Sequence, residues 1–113
     1  MSAVDFGVRP KVVTTELDFP TVVYQFLARG ERGVETTVLS SPDGVSVPLE
    51  SFAEAIDERT ALVATSHVYF TTGAIQDVSA ITRLSHERGA LCLIDAYQST
   101  GQLPVDAREL GVD

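Results

Sequence analysis

The chain has a single cysteine, Cys92, so no internal disulfide framework is possible. Cys92 lies in the apolar run Ala90-Leu91-Cys92-Leu93-Ile94, which reads as buried core. Basic residues are scarce as well: 8 Lys and Arg stand against 16 Asp and Glu, for a formal charge of −8. No basic cluster could track a phosphate backbone or an anionic lipid surface, which argues against nucleic-acid and membrane partners. No apolar run reaches the length of a bilayer, and Met1 to Pro10 has neither a charged n-region nor an apolar h-region, so a cytoplasmic protein is expected. The 2 histidines and the cysteine are scattered without ligand spacing, and neither GxGxxG nor GxxxxGK[ST] occurs, so no metal site and no mononucleotide or dinucleotide fingerprint is expected. Internal repeats, low-complexity tracts and Gly/Ser-rich linkers are absent too, which removes any internal domain boundary.

What is present is a core: 44% of the 113 residues are hydrophobic, enough for one domain over residues 1–113. Short β-branched and apolar runs recur at Lys11 to Thr15, Val34 to Leu39, Ala61 to Ser66 and Ala90 to Ile94. Helix-length segments separate them. After Pro20, Val23, Phe26 and Leu27 form one stripe that Gly30 or Gly33 can stop. Leu49, Phe52, Ala53 and Ile56 fall at i, i+3, i+4 and i+7 behind Pro48, with Glu50, Glu54, Asp57 and Glu58 on the wet face. A third helix runs from Asp77, an N-cap candidate, through Val78, Ile81 and Leu84 to Arg88, with Gly89 suited to a left-handed end. Near-continuous apolar strands such as Ala61 to Ala64 and Ala90 to Ile94 predict burial on both faces, as in a parallel sheet covered by helices. The order βαβαβαβ predicts an α/β fold with a mostly parallel sheet and right-handed crossover helices. Ser40-Ser41-Pro42-Asp43-Gly44 predicts a turn, and Leu110-Gly111-Val112 reads as the start of another element.

In open parallel sheets ligands gather beyond the carboxyl ends of the strands, so the residues following each apolar run are the site candidates. Asp95-Ala96-Tyr97-Gln98-Ser99-Thr100-Gly101 follows the fourth strand, placing a carboxylate at a strand end and a carboxamide three residues later. From spacing alone Asp95 is equally a turn or N-cap residue. Thr65-Ser66-His67-Val68-Tyr69-Phe70-Thr71-Thr72-Gly73 closes the third strand, and Asp18-Phe19-Pro20-Thr21 follows the first. Alternation turns His67 away from the face of Ser66, and His86 sits among polar helix neighbours, so both read as structural.

The order of a strand ending in Ser66-His67-Val68, then Thr72-Gly73, a helix, an apolar strand, Asp95-Ala96-Tyr97-Gln98 and Gly101-Gln102-Leu103-Pro104-Val105-Asp106 resembles the class V aminotransferase family of fold-type I pyridoxal-phosphate (PLP) enzymes. The resemblance covers about Arg9 to Asp113. It implies part of the large, cofactor-binding domain, incomplete at both ends, with pyridoxal 5'-phosphate as cofactor. By resemblance, Asp95 bonds the pyridinium nitrogen, Gln98 addresses the phenolic oxygen, Phe19 stacks on the ring and Ser66 supplies the hydroxyl at the strand end. For Phe19, a plain core position is the alternative. Val68 to Gly73 is closer to kynureninases than to cysteine desulfurases, which usually carry Asn or Ser where Phe70 stands.

The family's Schiff-base lysine comes one strand and turn after the Asp, beyond Asp113, and its phosphate loop lies upstream. Lys11, which precedes the first strand, lies at the wrong end of the sheet to replace it. The resemblance therefore implies no catalytic residue in this chain and an inactive piece by itself. The whole enzyme is implied to be a homodimer acting on an amino acid through an external aldimine, in the manner of a class V aminotransferase. A kynureninase-like hydrolase or a cysteine desulfurase is the alternative of the same family. A non-catalytic α/β binding module is the alternative of another class.

Overall fold

The four apolar runs become four short strands: β1 (Lys11–Thr15), β2 (Glu35–Leu39), β3 (Thr60–Ser66) and β4 (Leu91–Asp95). In the computed structural model, which describes residues 4–113, they form one sheet, parallel throughout, in the order β2-β1-β3-β4. Residues 1–3 of the expected domain lie outside the described residues. Parallel neighbours require the chain to cross back over the sheet between strands. Three helices do so: α1 (Pro20–Leu27), α2 (Leu49–Ala55) and α3 (Val78–Glu87). The expected α/β class and element order hold.

Local chemistry accounts for the helix ends. Pro20 opens α1, where its missing N–H has no intrahelical partner to lose. Asp77 caps α3, its side chain accepting from Ala80 N at 2.9 Å. Gly89, just past α3, takes φ 70°, a left-handed conformation that side chains resist. In the turn after β2, Asp43 Oδ1 accepts from Ser41 Oγ and from the N–H groups of Val45 and Ser46. The Ser46 and Val45 amides are the main reason its carboxyl is lowered to about 2.

Strand alternation divides the core between the two faces of the sheet. Val13, Val63 and Cys92 point toward α2 and α3 and pack with Phe52, Ile56, Tyr69 and Ile81. Val12, Leu62 and Ala64 point the other way and pack with Val22 and Phe26 of α1. Cys92 is fully buried, burial raises its thiol pKa, and its Sγ accepts from Thr82 Oγ1 at 3.4 Å, in line with the expected core role.

Two expectations fail. All seven residues of β3 are buried, but in β4 Leu91 and Leu93 are 42% and 41% exposed. They pair in register with Leu62 and Ala64 and so share their face, but α1 packs over β1 and β2 and stops short of the edge strand. Leu110-Gly111-Val112 does not begin an element. Leu110 ends a one-turn helix, α4 (Ala107–Leu110), capped by Asp106 and closed by Gly111 at φ 72°. A 3-10 turn at Gly30–Arg32 is a further addition between α1 and β2.

Candidate functional site

The carboxyl ends of β1, β3 and β4 share one rim, and Phe19, Ser66, Asp95 and Gln98 all line a single cavity there of about 460 Å³. Thr21, Val68, Phe70 and Tyr97 complete its wall. Ser66 and Asp95 are paired in register as the last residues of β3 and β4, and His67 N donates to Asp95 O at 2.9 Å, so the floor is set by the sheet itself.

Asp95 is half-buried, and its Oδ1 accepts from Tyr97 N at 2.9 Å. The turn role open from its spacing is thus real, but it occupies one oxygen only. Among the described residues no donor meets Oδ2. The turn continues with Ser99 N and Thr100 N donating to Ala96 O, which carries Gln98 to the cavity wall. Phe19 is half-exposed, not a core residue, and meets Phe70 edge to face, with ring centroids 5.0 Å apart and planes at 70°.

The remaining candidates are placed elsewhere. His67 is buried away from the cavity lining. His86 Nε2 lies 2.8 Å from Asp113 Oδ2, which also accepts from Cys92 N. Burial works to raise the Asp113 carboxyl, but His86 and that amide outweigh it and hold it below its ordinary value. Lys11 Nζ donates to Ala55 O at 2.6 Å and Asp57 Oδ2 at 2.8 Å, at the amino end of the sheet and opposite the cavity. Among the described residues no three His, Cys, Asp or Glu side chains gather where they could hold a metal ion, and no helix is long and apolar enough to cross a membrane.

One residue escaped the reading of the sequence. Asp18 is 2% exposed, with its carboxylate among the hydroxyls of Thr14, Thr15 and Thr65. The available signal was the concentration of Thr and Ser at the ends of two strands close to Asp18, a pattern that supplies donors for a buried anion.

A parallel sheet crossed by helices, with a cavity of mixed aromatic and polar lining over its carboxyl rim, defines an open α/β domain of the kind whose ligands gather at the strand ends. The chain belongs to the aminotransferase class-V family, whose sequence model matches residues 3–113. It is 41% identical over 108 residues to an uncharacterized aminotransferase, YcbU, of Bacillus subtilis, covering 96% of this chain and 28% of that protein. It is 37% identical over 102 residues to a probable cysteine desulfurase of Methanothermobacter thermautotrophicus, covering 90% and 26%. It is likewise 37% identical over 110 residues to a kynureninase of Pseudomonas fluorescens, covering 93% and 24%. A solved NifS-like protein superposes with a TM-score of 0.84 at 27% identity, covering 93% of this chain and 29% of that one. The chain thus spans about a quarter of the length of the curated relatives it matches.

Proposed function

We propose that these residues are part of the cofactor-binding large domain of a pyridoxal-phosphate enzyme acting on an amino acid, most simply an aminotransferase of class V. The observation that carries this reading is the convergence of Phe19, Ser66, Asp95 and Gln98, from three separate strand ends, on one cavity. The residues suit a planar, basic heteroaromatic ring. One wall offers an aromatic ring, the floor offers a carboxylate oxygen that meets no donor among the described residues, and a hydroxyl and a carboxamide flank it.

When bound, pyridoxal phosphate supplies an electron sink for the amino acid. In this reading the chain's own residues set the sink's strength and place it. Asp95 Oδ2 would hold the ring nitrogen and its proton, because a carboxylate acceptor favours a charged partner. Phe19 would cover one face of the ring and exclude water from it, its own tilt held by the contact with Phe70. Gln98 would donate its amide hydrogens to the phenolic oxygen without adding charge to the cavity. Ser66 offers a hydroxyl beside Asp95 on the same face of the sheet. The lysine that would carry the cofactor, the substrate amino acid's own contacts and the homodimeric, cytoplasmic setting of the enzyme belong to the same proposal, supported by the family.

A second reading, a kynureninase-like hydrolase, is favoured by one observation. Phe70 closes the cavity with an aromatic edge at the position where desulfurases usually have Asn or Ser. The experiment is addition of pyridoxal phosphate to the full protein. A visible absorbance band abolished by borohydride, followed by turnover of an amino donor with a keto acid, supports the aminotransferase. The same band with kynurenine hydrolysis instead supports the second reading. No band in the folded, full-length protein overturns both and leaves a binding module.

A further inference from the structure

Asp18 stands directly before Phe19, where a short carboxylate ordinarily caps the helix that follows. Here the N-cap position belongs to Phe19, and α1 has no side-chain cap. The Asp18 carboxylate turns back into the sheet instead. Its Oδ2 accepts from Thr14 Oγ1 (3.0 Å), Thr15 N (2.8 Å) and Thr15 Oγ1 (3.0 Å), the last two residues of β1. Its Oδ1 accepts from Thr65 Oγ1 (3.0 Å) and Ser66 N (2.6 Å), the last two residues of β3. Gln76 extends the cluster by donating Nε2 to Thr65 Oγ1 at 2.9 Å and to Ser66 O.

The place of this cluster in the topology explains why a buried anion is there. The chain leaves β1 for β2 on one side and reaches β3 on the other, so β1 and β3 flank the point where the strand order reverses. At such a point neighbouring strands part and a crevice opens at their carboxyl ends. The register of β1 with β3 runs only from Lys11 to Val13, against Thr60 to Val63. Beyond it, the Asp18 carboxylate joins the strand tips where the backbone ladder has stopped. Burial of a carboxylate is costly, and no cation pairs with Asp18 among the described residues; the five donors hold its charge in place.

We propose that Asp18 is a positioning residue of the cavity, setting the gap between its aromatic wall and its polar floor. Phe19 follows it in the chain, Ser66 N is bonded to it, and Asp95 is registered to Ser66, so one carboxylate ties the wall to two residues of the floor. The inference rests on the pyridoxal-phosphate reading of the cavity.

The test uses the full protein with Asp18→Asn, which keeps the shape but turns one acceptor oxygen into a donor facing donors. Phe52→Leu, in the core on the other face, serves as a control for lost stability. Three quantities are read: the Kd for pyridoxal phosphate, the circular-dichroism band of the bound ring per mole bound, and Tm. A displaced wall weakens binding about tenfold or more, since misplacement by about 1 Å costs up to about 100-fold at a reacting site. The expected result is that rise in Kd for Asp18→Asn with an altered dichroism band, while Phe52→Leu lowers Tm and leaves the band unchanged. If Asp18→Asn does not fold, Thr65→Val removes a single donor to Oδ1 and is expected to shift Kd and band in the same direction. Kd within about twofold of wild type and an unchanged band, in whichever of the two variants folds, overturn the proposal alone. Failure of the wild-type protein to bind pyridoxal phosphate overturns the cofactor reading and this proposal with it.

Discussion

Replacing Asp95 by Asn separates the two duties of this carboxylate. Oδ1 accepts from Tyr97 N, and the carbonyl oxygen of Asn can keep that bond, so the turn after β4 survives. Oδ2, which has no other donor among the described residues, becomes an NH2 group facing the ring nitrogen. A hydrogen bond to a charged partner is worth about 1.5–3 kcal/mol, and its loss corresponds to a rise of roughly 10- to 150-fold in Kd. Asp95 is only half-buried, so the lower part of that range is expected. Asp95→Ala should weaken the cofactor similarly and in addition lower stability by about 1 kcal/mol, because Tyr97 N then loses its acceptor. Equilibrium titration of pyridoxal phosphate into the full-length variants, with a thermal melt of each, checks both. A Kd for Asp95→Asn within about twofold of wild type would falsify the assignment of Oδ2 to the ring nitrogen.

Lys11→Met should leave cofactor binding untouched, because Lys11 bonds Ala55 O and Asp57 at the far end of the sheet; a lost absorbance band would contradict this placement. Its stability cost at neutral pH should stay below about 1 kcal/mol, since Asp57 is 44% exposed and water screens the pair. The Lys11 hydrogen bond holds the Asp57 carboxyl below its ordinary 3.8, so the pair's contribution is fully present above that pH and fades as pH falls through the folded value. Urea midpoints of wild type and variant should therefore converge in acid. Phe26→Ala, which empties a fully buried site under α1, should cost about 3–5 kcal/mol in a urea titration, and a loss below about 1 kcal/mol would mean that α1 does not seal that face. Tyr69→Phe should be neutral or stabilising by about 1 kcal/mol, because the buried Tyr69 hydroxyl meets no hydrogen-bond partner among the described residues and burial pushes its pKa up to about 12. Destabilisation by more than about 1 kcal/mol would show that Thr15 or Thr65 satisfies that hydroxyl.

Much of the site was legible because its residues sit where the chain changes character. Asp95 and Ser66 end apolar runs, and Phe19 stands immediately before Pro20, the first residue of a helix. In a parallel sheet all such positions fall on the same rim, so the topology brings together what the sequence spreads over 80 positions, from Phe19 to Gln98. The aromatic contact between Phe19 and Phe70 was not legible. Nothing in either segment says that the loop after β3 folds back over the start of α1. Asp18 received no role from the sequence for the same reason: beside a helix start the local rule favours a cap, and only the end of the β1–β3 ladder makes a buried clamp the better use of its two oxygens.

By itself the sequence determined the elements and their type. Short continuous apolar runs against stripes of period 3.6, Asp77 at one end of a helix and Gly89 past the other act over a few residues and need no distant partner. The burial of β3 followed from its apolar centre, Ala61 to Ala64, but the same argument failed for β4. The tertiary structure decided the rest: that β1 lies between β2 and β3, that Leu91 and Leu93 stay exposed on an edge strand, and that a one-turn helix, Ala107–Leu110, forms besides the three helices expected. Strand order, edges and the occupant of the crevice depend on which segments meet across the sheet, and contact between residues far apart in the chain leaves no periodic mark in the sequence.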